Sequence, residues 1–141
     1  MTERARILFV DDEKRVLNAM RGMFRRDYEL FLTTEGAEAI RIATENSIDV
    51  IVADQRMPGM TGIELLRAAR DINPHAMRIL LTGYSDLNAI VGSVNEGEIF
   101  RFVNKPWAND VLASTVASAA AAAKASRAVA VMEAAEPTPG A

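Results

Sequence analysis

Short runs of Ile, Val, Leu and Phe recur along the chain, separated by longer segments in which apolar residues are spaced three or four apart. The runs have the composition of buried β-strands. They cover Ile7 to Val10, Glu29 to Leu32, Val50 to Ala53, Ile79 to Leu81 and Ile99 to Val103. The intervening spacing predicts amphipathic helices. This alternation of strand and helix favours a parallel sheet with helices on both faces.

Polar and glycine residues predict some of the helix boundaries. Thr61 followed by Glu64 forms a capping-box pattern that predicts the start of the third helix. Ser85 or Asp86 is expected to cap the fourth helix. Gly97 is expected to end that helix, because glycine adopts the left-handed conformation at low cost.

The last helix is predicted to run from about Ala108 to about Glu133, which makes it roughly 38 Å long at 1.5 Å per residue. That length exceeds what a small domain needs to cover its sheet. We therefore expect one compact domain at 1–124, followed by an alanine-rich helical extension and tail at 125–141. The final segment from Pro137 to Ala141 reads as disordered.

Two interpretations of this extension remain open. In the first, an apolar stripe forms part of a homodimer interface; its members are Leu112, Val116, Val129 and Met132. The alanine run between them, however, shows no persistent heptad pattern. In the second interpretation the extension is a frayed helix or a linker.

Composition narrows the functional classes. A chain of 141 residues, half of them hydrophobic, suffices for one compact core and is short for two. The net charge of -3, without a basic patch, argues against direct binding of nucleic acid or of a membrane surface. No cysteine is present, which excludes disulfides and thiol chemistry. Since no segment has the apolar length of a signal peptide or membrane span, we predict a cytoplasmic protein.

Polar residues of complementary chemistry follow four of the predicted strands. They are Asp11 and Asp12 after the first, Asp54 at the end of the third, Thr82 after the fourth and Lys105 after the fifth. In a parallel sheet these positions meet at one edge, where ligands bind. Three carboxylates brought together repel one another and call for a compensating cation. Magnesium, which prefers hard oxygen ligands, is the predicted ion.

The same set suits transfer of a phosphoryl group to a carboxylate, which depends on positioning and on neutralising charge. Asp54 would be the nucleophile, with the Lys105 ammonium and the Thr82 hydroxyl contacting phosphoryl oxygens. The simpler interpretation is that an aspartate at a strand end only caps a helix, which applies to Asp11 or Asp12 before the first helix.

Four segments resemble the response-regulator receiver domains, and the resemblance extends from Arg6 to about Ser118. The segments are ILFVDDE at 7–13, VADQRMPGMTGIELL at 52–66, LLTGYSD at 80–86 and FRFVNKPW at 100–107. The resemblance implies a doubly wound, five-stranded, flavodoxin-like α/β fold with strand order 2-1-3-4-5. It also implies a cytoplasmic phosphoprotein of a two-component system or phosphorelay.

Carried over residue by residue, the resemblance makes Asp54 the phosphoacceptor. It makes Asp12, Asp54 and the Arg56 carbonyl ligands of Mg²⁺, with Asp11 holding the site through water or indirect contacts. Large residues at Arg56 and Tyr84 are hypothesised to shield the phosphoryl group from water and to slow self-dephosphorylation.

The resemblance also assigns the residues that respond to phosphorylation. Thr82 and Lys105 correspond to the pair that contacts the phosphoryl group, and the Lys105–Pro106 peptide is expected to be cis. Phe102 corresponds to the switch aromatic and, without a hydroxyl, would signal by burial. The output surface would be helix four, strand five and helix five.

The single histidine, His75, reads as a solvated loop residue and a poor phosphodonor, so a separate histidine kinase or histidine phosphotransfer protein is the implied partner. The only chemistry expected is self-phosphorylation and self-dephosphorylation. One alternative is a haloacid-dehalogenase-like phosphatase, but those enzymes place a DxD motif after the first strand. Another is a degenerate receiver that serves only as a binding module, against which the intact set of polar residues argues. The downstream target is not identified by the sequence.

Overall fold

The computed structural model describes residues 3–95 and 97–135, without the side chains of Tyr84 and Ala135. Strands and helices alternate as the sequence predicts. In chain order they are β1 (Arg6–Val10), α1 (Lys14–Phe24), β2 (Glu29–Thr33), α2 (Gly36–Glu45), β3 (Val50–Asp54), α3 (Gly62–Ile72), β4 (Met77–Thr82), α4 (Tyr84–Val91), β5 (Arg101–Asn104) and α5 (Asn109–Ala135). The predicted disordered segment at 137–141 lies outside the described residues.

All five strands are parallel and lie in the order β2-β1-β3-β4-β5, which confirms the predicted doubly wound sheet. The chain moves outward from β1 to β2 and then returns to the other side of β1 for β3. This reversal makes the gap between the carboxyl ends of β1 and β3 the topological switch point, the usual ligand position in such sheets.

Alternating strand residues supply two separate cores, one on each face of the sheet. On one face, Leu8 and Leu80 belong to a cluster packed against α2, α3 and α4. On the other face, Ile7 and Phe9 belong to a cluster packed against α1 and α5. Because both faces are covered, the strands read as continuous apolar runs.

Of the two predicted helix starts, only one is confirmed. The Thr61 side chain accepts a bond from the Glu64 N–H and the Glu64 carboxylate accepts one from the Thr61 N–H, as in a capping box. The prediction for α4 is wrong, because Gly83 is its N-cap and makes no side-chain bond to the helix. Ser85 and Asp86 therefore lie inside the first turn of α4.

The region between α4 and β5 also differs from prediction. Helix α4 ends at Val91, so Gly97, whose φ is 85°, shapes the following loop rather than the helix end. Strand β5 begins at Arg101 instead of Ile99. The reason is the buried guanidinium of Arg78, which donates to the carbonyls of Glu98 at 2.7 Å and Gly97 at 3.1 Å and holds this stretch as loop.

Helix α5 is long, as predicted, but its inner face does not form a dimer stripe. Leu112 and Val116 are fully buried in the core under the sheet, so this part of the stripe prediction is wrong. Val129 and Met132 are exposed. Among the described residues, no helix combines the length and the apolar character needed to cross a lipid bilayer.

The second half of α5 is tied to the amino-terminal edge of the sheet. Ser126 Oγ lies 2.7 Å from His75 Nδ1. Arg127 forms an ion pair with Asp49, just before β3. The predicted boundary after residue 124 therefore falls within a continuous helix whose next residues contact the folded unit.

Candidate functional site

Three aspartates meet at the switch point. Asp11 and Asp12 directly follow β1, and Asp54 is the last residue of β3. One carboxylate oxygen from each lies within 4.8 Å of the others. Asp11 is 0% exposed and Asp54 6% exposed, whereas Asp12 faces solvent. The predicted acidic cluster is therefore present, with one member open to an incoming ligand.

Lys105 supplies a positive charge to this cluster. It follows β5, and its Nζ donates to Asp54 Oδ1 at 3.0 Å and to Asp11 Oδ2 at 3.5 Å. The peptide bond from Lys105 to Pro106 is cis. A single ammonium faces three carboxylates, so the cluster retains a net negative charge.

Burial controls how these groups titrate. Burial raises the pKa of Asp54 above its ordinary value, although the bond from Lys105 opposes the shift. Burial also raises the pKa of Asp11, against the bond that its carboxylate accepts from the Glu13 N–H at 2.9 Å. Burial alone would lower the pKa of Lys105, but the neighbouring carboxylates outweigh it and raise that pKa. The one positive charge of Lys105 therefore does not balance the negative charge of the carboxylates.

The side chains fit a magnesium ion. Carboxylate oxygens are the hard ligands that Mg²⁺ prefers, and one or two of them leave room for waters and phosphoryl oxygens. The two buried carboxylates have raised pKa values, which a divalent cation would reverse. The charge deficit is therefore the feature that a bound cation would correct.

Burial of the charged Asp11 carboxylate destabilises the folded state of the metal-free protein. We expect Asp11→Asn to raise the free energy of unfolding without metal at pH 7 by an amount on the order of 1 kcal/mol, because Asn keeps the acceptor for Glu13 and removes a buried charge. Because the pKa of Asp11 is raised in the folded state, the stability gain of Asp11→Asn over the wild type is complete above that folded-state pKa. It vanishes below the ordinary value of 3.8, where aspartate is protonated in both states.

Urea unfolding at several pH values measures this effect, with the exposed Asp12→Asn as the matched control that changes metal-free stability little. Saturating Mg²⁺ should stabilise the wild type more than Asp11→Asn. A metal-free Asp11→Asn protein that is less stable than the wild type at pH 7 would contradict the assignment of this destabilisation to the Asp11 carboxylate.

The predicted switch residues lie beside the cluster rather than in it. Thr82 ends β4, is 1% exposed and donates a long 3.4 Å bond to the Gly83 carbonyl. Among the described side chains it has no hydrogen bond to the aspartates. Phe102, half-buried, packs on the α4 side of the sheet in the cluster that contains Ile90 of α4. Thr82 therefore ends the strand next to Asp54, and Phe102 packs on the face of the sheet that α4 covers.

The Arg56 side chain bonds to α4 rather than to the acidic cluster. Its guanidinium makes two bonds to the Asp86 carboxylate on α4, with Nε to Oδ2 at 2.7 Å and Nη2 to Oδ1 at 2.8 Å. The side chain of Tyr84, the other predicted shielding residue, lies outside the described part of the chain. The sequence analysis did not predict the pairing of Arg56 with Asp86, because no local pattern connects residues thirty positions apart.

The cap interpretation of the first aspartates is wrong. Glu13 is the N-cap of α1 and makes no side-chain bond to that helix. Asp11 instead accepts the bond from the Glu13 N–H, which orients its carboxylate within the loop. This leaves the cluster, rather than helix capping, as the role of Asp11 and Asp12.

Two further residues, Gln55 and Gly62, place the loop after Asp54 against α3, and the sequence analysis did not predict them. The Gln55 side-chain oxygen accepts from the Ile63 N–H at 3.0 Å, and its backbone carbonyl accepts from the Gly62 N–H at 3.1 Å. A Cβ on Gly62 would lie 2.5 Å from the Asp54 carbonyl oxygen. The only sequence signal is the glycine that follows the Thr61 cap.

A doubly wound parallel sheet with three aspartates and a lysine at its switch point defines a receiver-type signalling domain. The model of the response regulator receiver domain family matches residues 7–117. The chain belongs to the response regulator receiver domain family of two-component systems. This membership and the acidic cluster favour a receiver over the phosphatase and the binding-only alternatives. Receiver domains are generally signalling modules rather than enzymes.

Individual proteins and a solved structure are similar to this chain. The hydrogenase transcriptional regulatory protein HoxA of Cupriavidus necator is 37% identical over 117 residues, covering 83% of this chain and 24% of that protein. The sporulation initiation phosphotransferase F of Bacillus subtilis is 30% identical over 112 residues, covering 79% and 90%. A solved chain of the adenylate cyclase from Rhodopirellula baltica has a TM-score of 0.90 and 31% identity, covering 94% and 99%. The chain thus spans about a quarter of the length of HoxA.

Proposed function

We propose that Asp54 is the phosphoacceptor of this receiver and that Mg²⁺ binds beside it. The observation that carries the proposal is the position of the Asp54 carboxylate, buried at the end of β3 and 3.0 Å from the Lys105 ammonium, within a cluster of three carboxylates. Asp12, Asp54 and the Arg56 carbonyl would hold the ion, and Asp11 would act through water. When bound, Mg²⁺ neutralises carboxylate and phosphoryl oxygens.

In the proposed reaction an Asp54 oxygen attacks the phosphorus of a phosphohistidine on a partner protein. A P–O bond forms, the P–N bond breaks, and the electron pair stays on the imidazole nitrogen. Lys105 then donates to one phosphoryl oxygen and the Thr82 hydroxyl to another. Both residues lie at strand ends on the edge that carries Asp54.

The partner is a histidine kinase or a histidine phosphotransfer protein. His75 is no phosphodonor in this account, because its ring is bonded to Ser126 at the opposite edge of the sheet. We place the reaction in the cytoplasm and assign no direct contact with nucleic acid or membrane. The downstream target is a protein that reads the changed surface.

The proposed output is a rearrangement of α4, β5 and α5. Phosphorylation adds roughly 1.5 to 2 negative charges. Movement of Thr82 toward the phosphoryl group frees space beneath α4, into which Phe102 turns. The exposed Val129 and Met132 on α5 are the surface through which a phosphorylation-dependent homodimer would form.

The test is incubation with acetyl phosphate, with and without Mg²⁺, of the wild type and of Asp54→Ala. We expect a phosphoryl adduct by intact mass only for the wild type with Mg²⁺, since the variant lacks the nucleophile. Size-exclusion chromatography of the same samples reports the oligomeric state. An adduct of equal yield on Asp54→Ala, or on wild type in EDTA, would exclude the proposed site.

A further inference from the structure

The ion pair between Arg56 and Asp86 connects the phosphoacceptor loop to α4. Arg56 lies two residues after Asp54, and Asp86 lies in the first turn of α4. The two bonds, at 2.7 and 2.8 Å, have the parallel geometry of a bidentate arginine–carboxylate pair. The Arg56 side chain is 75% exposed and that of Asp86 25% exposed, so the pair lies at the surface, where an incoming group can compete for it.

Among the described side chains, helix α4 has few other anchors near this end. It has eight residues, and its N-cap, Gly83, makes no side-chain bond to it. Among the described residues of α4, Ile90 is the one that is buried in the core, and it lies near the opposite end of the helix. The pair with Arg56 is therefore a polar tether between the first turn of α4 and the loop that follows Asp54.

Arg56 also lies within electrostatic range of the phosphoacceptor. Its pKa is raised mainly by the hydrogen bonds to Asp86, and the charge of Asp54 raises it further. A phosphoryl group on Asp54 would carry about 1.5 to 2 negative charges and three acceptor oxygens, against one charge and two oxygens on Asp86. A guanidinium binds phosphate and carboxylate with the same bidentate geometry, so the two groups are competitors for it.

We propose that Asp86 is a positioning residue that holds Arg56 on α4 in the unphosphorylated protein, and that the phosphoryl group on Asp54 takes Arg56 from it. This inference rests on the proposed function of Asp54. The exchange frees the first turn of α4 at the moment when Arg56 comes over the phosphoryl group. A pair present only in the unphosphorylated state opposes phosphorylation by its own stabilising free energy.

The experiment is a double-mutant cycle on the affinity for beryllofluoride, a phosphoryl mimic, at saturating Mg²⁺. Trp107 is the only tryptophan, lies two residues after Lys105 and is half-buried, so its fluorescence can report binding. Since exposed ion pairs contribute about 0.2–1 kcal/mol, Asp86→Asn is expected to tighten binding about 1.4- to fivefold in the Arg56 background. In the Arg56→Ala background, the same substitution is expected to change nothing.

The second background is the matched control, because it removes the same charge from the same position when no pair exists. Asp86→Glu should restore wild-type affinity if the carboxylate acts through Arg56. If the wild type binds beryllofluoride, equal effects of Asp86→Asn in both backgrounds, or no effect in either, would overturn the inference. Failure of the wild type itself to bind beryllofluoride with Mg²⁺ would instead refute the function proposed for Asp54.

Discussion

Lys105→Ala is expected to slow phosphorylation by acetyl phosphate about a hundredfold or more at saturating Mg²⁺. The ammonium lies 3.0 Å from the Asp54 oxygen that would carry the phosphoryl group. Removing one such preorganised donor costs about 10² to 10³ in the rate of comparable reactions. The carboxylates would also lose their neighbouring cation, so the pKa of Asp54 would rise further above its ordinary value.

The rate is measured by intact mass as a function of time. Lys105→Arg is the control, since it keeps the charge but not the compact ammonium, and we expect an intermediate rate. Circular dichroism with Mg²⁺ checks that both variants fold. A Lys105→Ala rate within threefold of the wild type would remove Lys105 from the proposed reaction.

The second large effect is expected at Gly62→Ala, where helix α3 begins beside Asp54. An added Cβ would lie 2.5 Å from the Asp54 carbonyl oxygen and 2.7 Å from Leu80 Cδ1, so the backbone has to move. Overpacking of this kind costs about 1–3 kcal/mol. We expect a loss of that size in the free energy of unfolding, together with slower phosphorylation because Asp54 is displaced.

Gly22→Ala provides the matched control for this prediction. Gly22 lies inside α1, and an added Cβ there meets nothing within 4 Å. Replacing it by alanine should stabilise the helix by up to about 1 kcal/mol through helix propensity alone. Urea denaturation compares the two variants. If Gly62→Ala is as stable as Gly22→Ala, the close approach of α3 to Asp54 is not a constraint.

The fold follows from the sequence because buried parallel strands are apolar along their whole length. The five apolar runs and the intervening helical spacing are sufficient to predict the alternation, and the strand ends bring the aspartates and Lys105 to one edge. The error at β5 arose because Ile99 is apolar yet belongs to loop. Its position depends on Arg78, a strand residue whose buried guanidinium binds the loop carbonyls.

Other errors have the same physical origin, which is contact between residues distant in the chain. Leu112 and Val116 have the spacing of an exposed stripe as well as of a core face, and only the packing of α5 under the sheet distinguishes the two. The partner of Arg56 depends on where α4 places Asp86. Local patterns therefore predict the acidic cluster but not the tether that joins it to α4.

The central claim, that Asp54 carries the phosphoryl group, is tested most directly by locating the modification. After reaction with acetyl phosphate and Mg²⁺, borohydride reduces an aspartyl phosphate to homoserine, and peptide mass spectrometry identifies the residue. We expect homoserine at position 54 alone, and none when Mg²⁺ is omitted. Homoserine at Asp11 or Asp12, or an unmodified Asp54 in a protein that has taken up phosphate, would contradict it.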